Sequence, residues 1–575
     1  MTERSDILNS SFDIRHSTFQ KELPMSRLLE MRKIEIEGYS SEEEQWLPII
    51  KGLDLNLDRG EVIGLIGESG AGKSTFGLAS MCYTRGGCRI TSGSIVFDGM
   101  ELFGAPEEEL RKIRGVRISY VAQSAAASFN PAHRLINQYA EAPIRHSLMN
   151  FNKAEEKAVD IYRRLLLPDP EGIGYRYPHQ VSGGQLQRAM VAMAMACTPD
   201  LIIFDEPTTA LDVTTQIEVL AAIKKITREF NTAAIYITHD LAVVAQIADR
   251  IMVLRYGDMV EENNARELMA SPKEEYTRAL LSVRTLREDR DLSATEHDVV
   301  LEVQNVSASY TGRETEKVLE YIDLKIRRGR TVALVGESGS GKSTLARVIT
   351  GLLPPLEGRV IYGEQELPPA LKSRKLETLR IMQMIYQMPD TALNPRQRVR
   401  DVIGRPLSFY FGMKGKEKND RIKELLNMIE LSPKKYIDRY PGELSGGEKQ
   451  RVCIARALAA KPEMIICDEV TSALDQLVAE GILKLLQDLQ NELHVSYLFI
   501  THDLATVKAI SDEIVVMLQG KIVEQGVKKK VLTPPHHEYT DLLLSSVPEM
   551  DPDWLDGVLA ERKRKGVKSA DFVQS

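Results

Sequence analysis

Apolar residues along the chain fall into short continuous runs that alternate with segments of helical periodicity. Two of these runs, at 61–67 and 331–336, are rich in β-branched residues and end in glycine. Further apolar runs lie at 201–205, 233–238, 464–468 and 496–501. Continuous apolar strands separated by helices predict an α/β fold with a parallel sheet that is covered on both faces.

A second pattern of apolar and polar residues occurs along the chain between the early predicted strands and the later ones. Segments 153–167 and 420–431 place apolar residues at helical spacing, with charged residues between them. This period predicts amphipathic helices. We therefore expect each α/β core to carry an inserted helical subdomain.

The chain repeats itself at one long interval. Ser182 and Ser445 are 263 residues apart (445 − 182), and the same interval separates two Asp-Glu pairs and two Thr-His-Asp segments. An interval of this length corresponds to a whole domain and is far too long for a solenoid repeat. The sequence predicts a polar extension at 1–24, domains at 25–283 and 299–544, a charged linker at 284–298 and a polar tail at 545–575.

Composition and charge limit the possible partners. Of the 575 residues, 43% are hydrophobic and 27% are charged, which is ordinary for a globular protein, and the net charge is −8. An acidic balance disfavours nucleic acid as a partner. The basic run 561–568 is expected to be a solvated tail. Because no stretch approaches the roughly 20 apolar residues of a membrane span, and no signal peptide is evident, we expect a cytosolic chain without a direct membrane span.

Two glycine-rich loops, GESGAGKST at 67–75 and GESGSGKST at 336–344, each follow a predicted strand and precede a predicted helix. Their glycines let backbone N–H groups turn toward phosphate oxygens. The lysine reaches the β- and γ-phosphates and the following serine ligates Mg²⁺. Such a turn can be purely structural, but two copies in the same context favour phosphate binding.

Acidic residues and histidines follow the later strands in both domains. Asp205 and Asp468 end apolar runs, where a carboxylate can hold Mg²⁺, and Glu206 and Glu469 come next, where a carboxylate can act as general base. A strand-end acidic turn or a structural histidine is the alternative. In register with the loops, His239 and His502 are better explained by contact with a γ-phosphate.

Ser-Gly-Gly occurs at 182–184 and at 445–447, ahead of a predicted helix in each domain. Serine is expected to cap the helix, while the glycines leave its N–H groups open to an anion. A single copy would be explained by an ordinary helix start. The matched pair favours a functional role.

Together these motifs resemble the ATP-binding cassette (ABC) ATPases across nearly the whole chain, which implies tandem P-loop NTPase domains with RecA-like cores. The resemblance implies that the Ser-Gly-Gly signature of each domain completes the site of the other, so that Lys73 faces Ser445 and Lys342 faces Ser182. It also implies that Gln123 and Gln387 touch Mg²⁺ and the attacking water.

The resemblance assigns a full set of site residues, with ATP and Mg²⁺ as cofactors. Those expected in catalysis are Glu206, Glu469, His239, His502, Gln123 and Gln387. Those expected to hold the metal are Ser74, Gln123, Asp205, Ser343, Gln387 and Asp468. Those expected to bind nucleotide are Tyr39, Gly67, Glu68, Ser69, Gly70, Ala71, Gly72, Lys73, Ser74, Thr75, Ser182, Gly183, Gly184, Asp212, Tyr310, Gly336, Glu337, Ser338, Gly339, Ser340, Gly341, Lys342, Ser343, Thr344, Ser445, Gly446, Gly447 and Asp475.

At a finer level the chain is similar to the ATPase subunits of peptide/nickel importers, with its two subunit types fused. The segments SPKEEYTRALL at 271–281 and PPHHEYTDLLLSSVPEM at 534–550 add to this likeness. It implies two membrane permease subunits, an extracytoplasmic binding protein and a place on the cytoplasmic face of the inner membrane. The alternative is a soluble tandem ATPase of translation or DNA repair, which the acidic balance and the lack of zinc-type cysteine clusters disfavour.

Overall fold

The computed structural model describes residues 27–40, 44–208, 211–282, 298–472 and 474–565. The expected extension at 1–24 lies outside these ranges, as does the expected linker apart from residue 298. Residues 209, 210 and 473, next to the two Asp-Glu pairs, also lie outside.

Each half contains two sheets. The strands of the first half are β1 Arg27–Ser40, β2 Gln45–Asp58, β3 Val62–Ile66, β4 Cys88–Phe97, β5 Met100–Glu101, β6 Ile118–Val121, β7 Leu201–Asp205, β8 Ala233–Ile237, β9 Arg250–Arg255 and β10 Asp258–Asn264. Those of the second half are β11 Val299–Ala308, β12 Leu319–Arg327, β13 Thr331–Val335, β14 Glu357–Tyr362, β15 Gln365–Glu366, β16 Met382–Ile385, β17 Met464–Asp468, β18 Ser496–Ile500, β19 Glu513–Leu518 and β20 Lys521–Val527.

The larger sheet of each half is the predicted parallel one. Its strand order is β10-β9-β3-β8-β7-β6 in the first half and β16-β17-β18-β13-β19-β20 in the second. Within these sheets the strands pair in parallel, except that β10 and β20 run antiparallel at one edge. Because β3, β7 and β8 are adjacent and parallel, their carboxyl ends, and the motifs that follow them, meet at one edge.

The smaller sheets were not predicted. They are antiparallel, in the orders β2-β1-β4-β5 and β12-β11-β14-β15. Strand β1 alternates buried and exposed residues over much of its length, which is the pattern of a sheet with one solvated face. The expectation of a single parallel sheet in each half is therefore incomplete.

Helices cover the parallel sheets and form the predicted insertions. Those of the first half are α1 Lys73–Ala79, α2 Glu107–Ile113, α3 Ala125–Ser128, α4 Leu135–Arg145, α5 Phe151–Arg164, α6 Gly183–Ala194, α7 Val213–Glu229, α8 Leu241–Ala245, α9 Ala265–Ala270 and α10 Glu275–Ser282. Those of the second half are α11 Lys342–Thr350, α12 Leu376–Ile381, α13 Pro389–Ala392, α14 Val399–Phe411, α15 Gly415–Met428, α16 Pro433–Tyr436, α17 Gly446–Leu458, α18 Gln476–Leu493, α19 Leu504–Ile510, α20 Lys528–Val531, α21 Glu538–Leu544 and α22 Trp554–Lys565.

The insertions lie between β6 and β7 and between β16 and β17. Helices α4, α5 and α6 pack together through residues such as Tyr139, Ile161 and Leu186. Helices α14, α15 and α17 do the same in the second half through Ile403 and Leu425. The predicted α/β class with an inserted helical subdomain is confirmed.

The C-terminal residues of the second half lie on the first half. Leu555 of α22 is fully buried in the core of the first half, and Trp554, Val558 and Leu559 pack around it. The side chain of Arg562 donates to Ser546 Oγ and is largely buried. The predicted polar tail therefore includes a helix whose apolar residues share one face and pack on the first half, whereas Glu561, Lys563 and Arg564 of the basic run are exposed.

Within the described ranges, no helix combines the length and the apolar character that crossing a bilayer requires.

Candidate active site

Each glycine-rich loop wraps around its own lysine. Lys73 Nζ donates to the carbonyl oxygens of Gly67 at 2.8 Å and Glu68 at 2.9 Å. In the second half, Lys342 Nζ donates to Gly336 and Glu337 at 2.7 Å each. These contacts hold each ammonium group inside the curve of its loop.

Glycine is required where the loop leaves its strand. Gly67 has φ 146°, and a Cβ there would lie 2.1 Å from the carbonyl oxygen of Leu254. Gly336 has φ 152° and would meet Met517 O at 2.2 Å. Any side chain would push the loop away from the neighbouring strand, so the loop depends on both glycines.

Burial lowers the pKa of both loop lysines, and nearby carboxylates oppose this effect. For Lys73 the opposing groups include Asp475 and Glu206. A buried ammonium group gains stability from additional negative charge beside it. The loops therefore suit an anionic ligand such as a chain of phosphates.

Oxygen ligands meet at the end of the central strands. Ser74 Oγ donates to Asp205 Oδ1 at 2.7 Å, and Ser343 Oγ donates to Asp468 Oδ1 at 3.0 Å. Mg²⁺ prefers such oxygens and usually keeps waters and substrate phosphates as its other ligands. The donor set in each half fits Mg²⁺.

The glutamate, glutamine and histidine predicted in each half come together. Gln123 Nε2 donates to Glu206 Oε2 at 2.9 Å, and His239 Nδ1 lies 3.4 Å from Oε1. The second half repeats this, with Gln387 Nε2 at 2.6 Å and His502 Nδ1 at 3.3 Å from the Glu469 carboxylate. Three chain segments thus fix one carboxylate beside each loop.

The histidines and the glutamates influence each other's pKa. Burial by itself would lower the pKa of His239 and of His502, but the hydrogen bond to Glu206 or Glu469 and the nearby carboxylates outweigh burial and raise it. In turn, the pKa of Glu469 is lowered: burial acts against this, and His502 prevails. This direction favours the ionised form of Glu469, which a proton acceptor requires.

The signature serines cap their helices as predicted. Ser182 Oγ accepts from the N–H of Gln185, whose side chain accepts from the Ser182 N–H. Ser445 and Glu448 form the same reciprocal pair. In this capping box Ser182 and Ser445, and the first glycine after each of them, are exposed to solvent, while Gly184 is buried.

The two halves meet head to tail around the loops. A cavity of about 650 Å³ at the first loop is lined by Lys73 and Ser74 together with Ser472, Leu474 and Asp475 of the second half. A cavity of about 390 Å³ at the second loop is lined by Lys342 together with Leu211 and Asp212 of the first half. Asp212 and Asp475 therefore lie beside the opposite loop.

Some predicted residues are not brought together. Among the described residues that line these two cavities, Ser182 and Ser445 are absent, so the facing of each lysine by the opposite serine stays a prediction. Tyr310 lines the second cavity. Tyr39 is absent from the first cavity's lining and packs edge-on against Trp46, with ring centroids 5.6 Å apart.

Two tyrosines that support the loops were missed. Tyr276 Oη accepts from the N–H of Glu68 at 3.2 Å, and Tyr539 Oη accepts from the N–H of Glu337 at 2.9 Å. Both belong to Glu-Tyr-Thr segments 263 residues apart (539 − 276), the same interval that separates the signature serines, the Asp-Glu pairs and the Thr-His-Asp segments. This repeated interval was visible in the sequence. However, no local sequence pattern predicts that a tyrosine over 200 residues from a loop contacts it.

The two strand-end aspartates, Asp205 and Asp468, also differ in their neighbours, which the sequence motifs did not show. Tyr120 Oη donates to Asp205 Oδ2 at 2.7 Å, and burial together with this carboxylate raises the pKa of Tyr120 to about 12. Tyr120 lies three residues before Gln123, and the residue three positions before Gln387 in the second half is Met384. The first site thus gives its aspartate an additional hydroxyl donor.

Comparison with protein families gives matches to both halves and to the C-terminal region. A family model described as ABC transporter matches residues 50–209 and 319–472, together more than half of the chain. A second model, described as the C-terminal region of oligopeptide/dipeptide transporters, matches residues 523–570.

Curated relatives match along nearly the full length. The glutathione import ATP-binding protein GsiA of Pectobacterium atrosepticum is 35% identical over 96% of this chain and 93% of its own. The protein of the same name from Escherichia coli O6:H1 is 37% identical over 89% of this chain and 88% of its own.

Solved structures of single cassettes match parts of the chain. The protein cbiO1 of Clostridium perfringens, part of the ABC transporter complex cbiONQ, is 29% identical over 41% of this chain and 91% of its own, with a TM-score of 0.38. The bacterial ABC transporter cassette MJ0796 is 26% identical over 41% of this chain and 98% of its own, with a TM-score of 0.37.

The family matches fall on the two halves that carry the loops, the paired carboxylates and the capped signature helices. The long relatives extend this likeness through the C-terminal region. The chain therefore belongs to the ABC transporter family, as an ATP-hydrolysing subunit with two nucleotide-binding cassettes in one polypeptide.

Proposed function

We propose that this chain drives the import of a small peptide, glutathione or a related solute through two membrane permease subunits. The observation that carries this proposal is the match of residues 523–570 to the C-terminal region of oligopeptide/dipeptide transporters, on a chain whose full-length relatives are named for glutathione import. The chain would lie on the cytoplasmic face of the inner membrane, and an extracytoplasmic binding protein would deliver the solute to the permeases.

In this proposal the loops bind the triphosphate. Lys73 and Lys342 contact the β- and γ-phosphates, and the loop N–H groups replace their hydration shell. Ser74 with Asp205 and Ser343 with Asp468 would hold Mg²⁺, which would supply positive charge to the phosphate oxygens. Tyr310, which lines the second cavity, would contact the base.

The paired glutamates act on water. Glu206 or Glu469 accepts a proton from the water whose oxygen attacks the γ-phosphorus, while the bond between that phosphorus and the ADP oxygen breaks. Gln123 with His239, and Gln387 with His502, hold each carboxylate in place. The signature serines Ser182 and Ser445 would close on the opposite loops once the halves tighten around two ATP molecules.

Purification and transport test the proposal. The tagged chain, purified from detergent-solubilised membranes, should carry two hydrophobic permeases. Liposomes that contain this complex and its binding protein should take up labelled glutathione or dipeptides when ATP is supplied on the side of this chain. A complex with both Glu206→Gln and Glu469→Gln is the matched control and should take up neither.

Two results would count against the proposal. Recovery of the chain with ribosomes or DNA, and without permeases, would favour the non-transport alternative. Uptake of nickel or an oligosaccharide, with no uptake of any peptide, would keep the motor role and refute the solute class.

A further inference from the structure

The two nucleotide sites differ where each loop meets the opposite half. At the second loop, the Thr214 hydroxyl of the first half lies 2.5 Å from Glu337 Oε1. The same hydroxyl lies 2.8 Å from Asp212 Oδ1. Thr214 is 1% exposed and Glu337 is 7% exposed, so water does not compete for this contact. The hydrogen bond joins the two halves directly.

The first loop lacks the residue that would make the same bond. The position 263 residues after Thr214, which matches it in the repeat, is Leu477, and the loop glutamate there is Glu68. Leu477 is half-buried and packs against the first half's core cluster that includes Tyr276. Glu68 instead lies beside Tyr276 of its own half, whose hydroxyl accepts from the Glu68 N–H, and burial together with the Glu68 charge raises the tyrosine's pKa.

The aspartates beside the two loops also differ in how many hydrogen bonds hold their side chains. Asp212 Oδ1 accepts from the Thr215 N–H at 2.9 Å as well as from Thr214, so two donors fix it. In the described structure, Asp475 makes no side-chain cap at the start of its own helix. The residue that reaches the second loop is therefore held more firmly than the one that reaches the first.

Chemistry explains how one hydroxyl can serve two carboxylates. A threonine hydroxyl has one proton to donate and can accept another. Burial raises the pKa of Glu337, the hydrogen bond from Thr214 opposes this, and Asp212 and Glu218 add to it. The Thr214 hydroxyl lies within hydrogen-bond distance of both carboxylates, so it links the loop of the second half to Asp212 of the first.

We propose that the Thr214–Glu337 hydrogen bond makes the two ATP sites unequal, with the second loop's site staying assembled while the first opens to exchange nucleotide. Thr214 is a positioning residue: it acts through Asp212 and Glu337 and is not required to touch the nucleotide. The inference rests on the nucleotide sites proposed above and is independent of the transported solute.

Release of a fluorescent ATP analogue with Mg²⁺ from the full-length chain tests this inference. Lys342→Ala weakens nucleotide binding at the second site, so release from this variant reports on the first site. Lys73→Ala likewise reports on the second site. We expect release from the second site to be about tenfold slower, which is the effect of one hydrogen bond to a carboxylate. Thr214→Val keeps the shape of the side chain and should remove this difference in the Lys73→Ala background alone.

Two further variants separate positioning from general damage. Thr214→Ser keeps the hydroxyl and should restore slow release. Leu477→Thr supplies a hydroxyl at the matched position and should slow release from the first site. Equal release from both sites, or an equal effect of Thr214→Val on both, would overturn the inference. If the wild-type chain bound no nucleotide, the proposed sites themselves would fail, so the two failures are distinguishable.

Discussion

At the residue scale, Glu206 and Glu469 adopt a backbone that non-glycine residues rarely use. Their φ angles are 49° and 50°, in the left-handed region. Such a conformation costs about 1–3 kcal/mol and persists where the surrounding structure fixes it. Here the N–H of Glu206 donates to Ile237 O at 2.9 Å, and that of Glu469 donates to Ile500 O at the same distance. The strained turn points each carboxylate at its glutamine and histidine.

This geometry predicts how the glutamates contribute. Glu206→Gln and Glu469→Gln keep the side chain's shape but remove the proton acceptor. We expect ATP binding to persist and hydrolysis to fall by about 10²–10⁴, the usual contribution of general base catalysis. Phosphate release and equilibrium ATP binding measure the two effects separately.

The loop lysines provide the contrasting variants. Lys73→Ala and Lys342→Ala remove a buried cation that lies at the phosphate position, so they should weaken ATP binding. A glutamine variant that hydrolysed ATP at the wild-type rate would show that its glutamate is not the base.

At the element scale, helices far along the chain complete the loops. Helix α10 supplies Tyr276 and helix α21 supplies Tyr539, and each hydroxyl satisfies a loop N–H. A buried N–H without a partner costs about 1–3 kcal/mol. These helices therefore stabilise the loop conformation that presents N–H groups to phosphate.

Removing one hydroxyl at a time tests this support. Tyr276→Phe and Tyr539→Phe should each weaken ATP binding at their own loop by roughly 5–30-fold, the factor that 1–2 kcal/mol produces. Tyr321→Phe, on an exposed ring that lines neither nucleotide cavity, is the control and should leave binding unchanged. Equilibrium titration with an ATP analogue measures the change, and unchanged affinity in both variants would show that the loops hold their shape without the tyrosines.

At the scale of the whole molecule, the end of the second half ties the two halves together. Gln246 of the first half is buried, donates to Glu549 O at 2.8 Å and Asp551 O at 2.9 Å, and accepts from the N–H of Leu555 at 3.0 Å. An ion pair between Arg266 and Asp553 adds to this attachment at the surface. The halves are thus connected through residues that line neither nucleotide cavity.

Detaching α22 from the first half should weaken the contact between the two halves. Leu555→Asp places a carboxylate in the first half's apolar core, so α22 should lose its protection from amide hydrogen exchange. ATP hydrolysis should fall several-fold, because Asp212 and Asp475 must reach the opposite loops. Ala560→Asp, on the exposed face of the same helix, is the matched control. Full hydrolysis by Leu555→Asp, with α22 unprotected, would show that this attachment is dispensable.

The sequence by itself determined the doubled domain, the α/β class and the local chemistry of each site. The features of each site lie in short sequence motifs: the loop, the Ser–Asp pair, the capped signature helix and the Glu–Gln–His group. Each motif can be interpreted without knowing which distant residues contact it. The interval of 263 residues between the signature serines, the Asp-Glu pairs and the histidines established that the two halves are copies of one domain. Parallel strands then bring such motifs to one edge of the sheet as a matter of topology.

Tertiary structure alone decided which distant residues complete these motifs. Tyr276 and Tyr539 lie over 200 residues from the loops they support, and Leu555 is buried in a domain that ends more than 250 residues earlier. The Thr214–Glu337 hydrogen bond crosses between halves, and one substitution in the repeat, Leu477, removes its counterpart. Such contacts depend on how whole faces pack, because a side chain's sequence neighbours do not specify its partner across an interface.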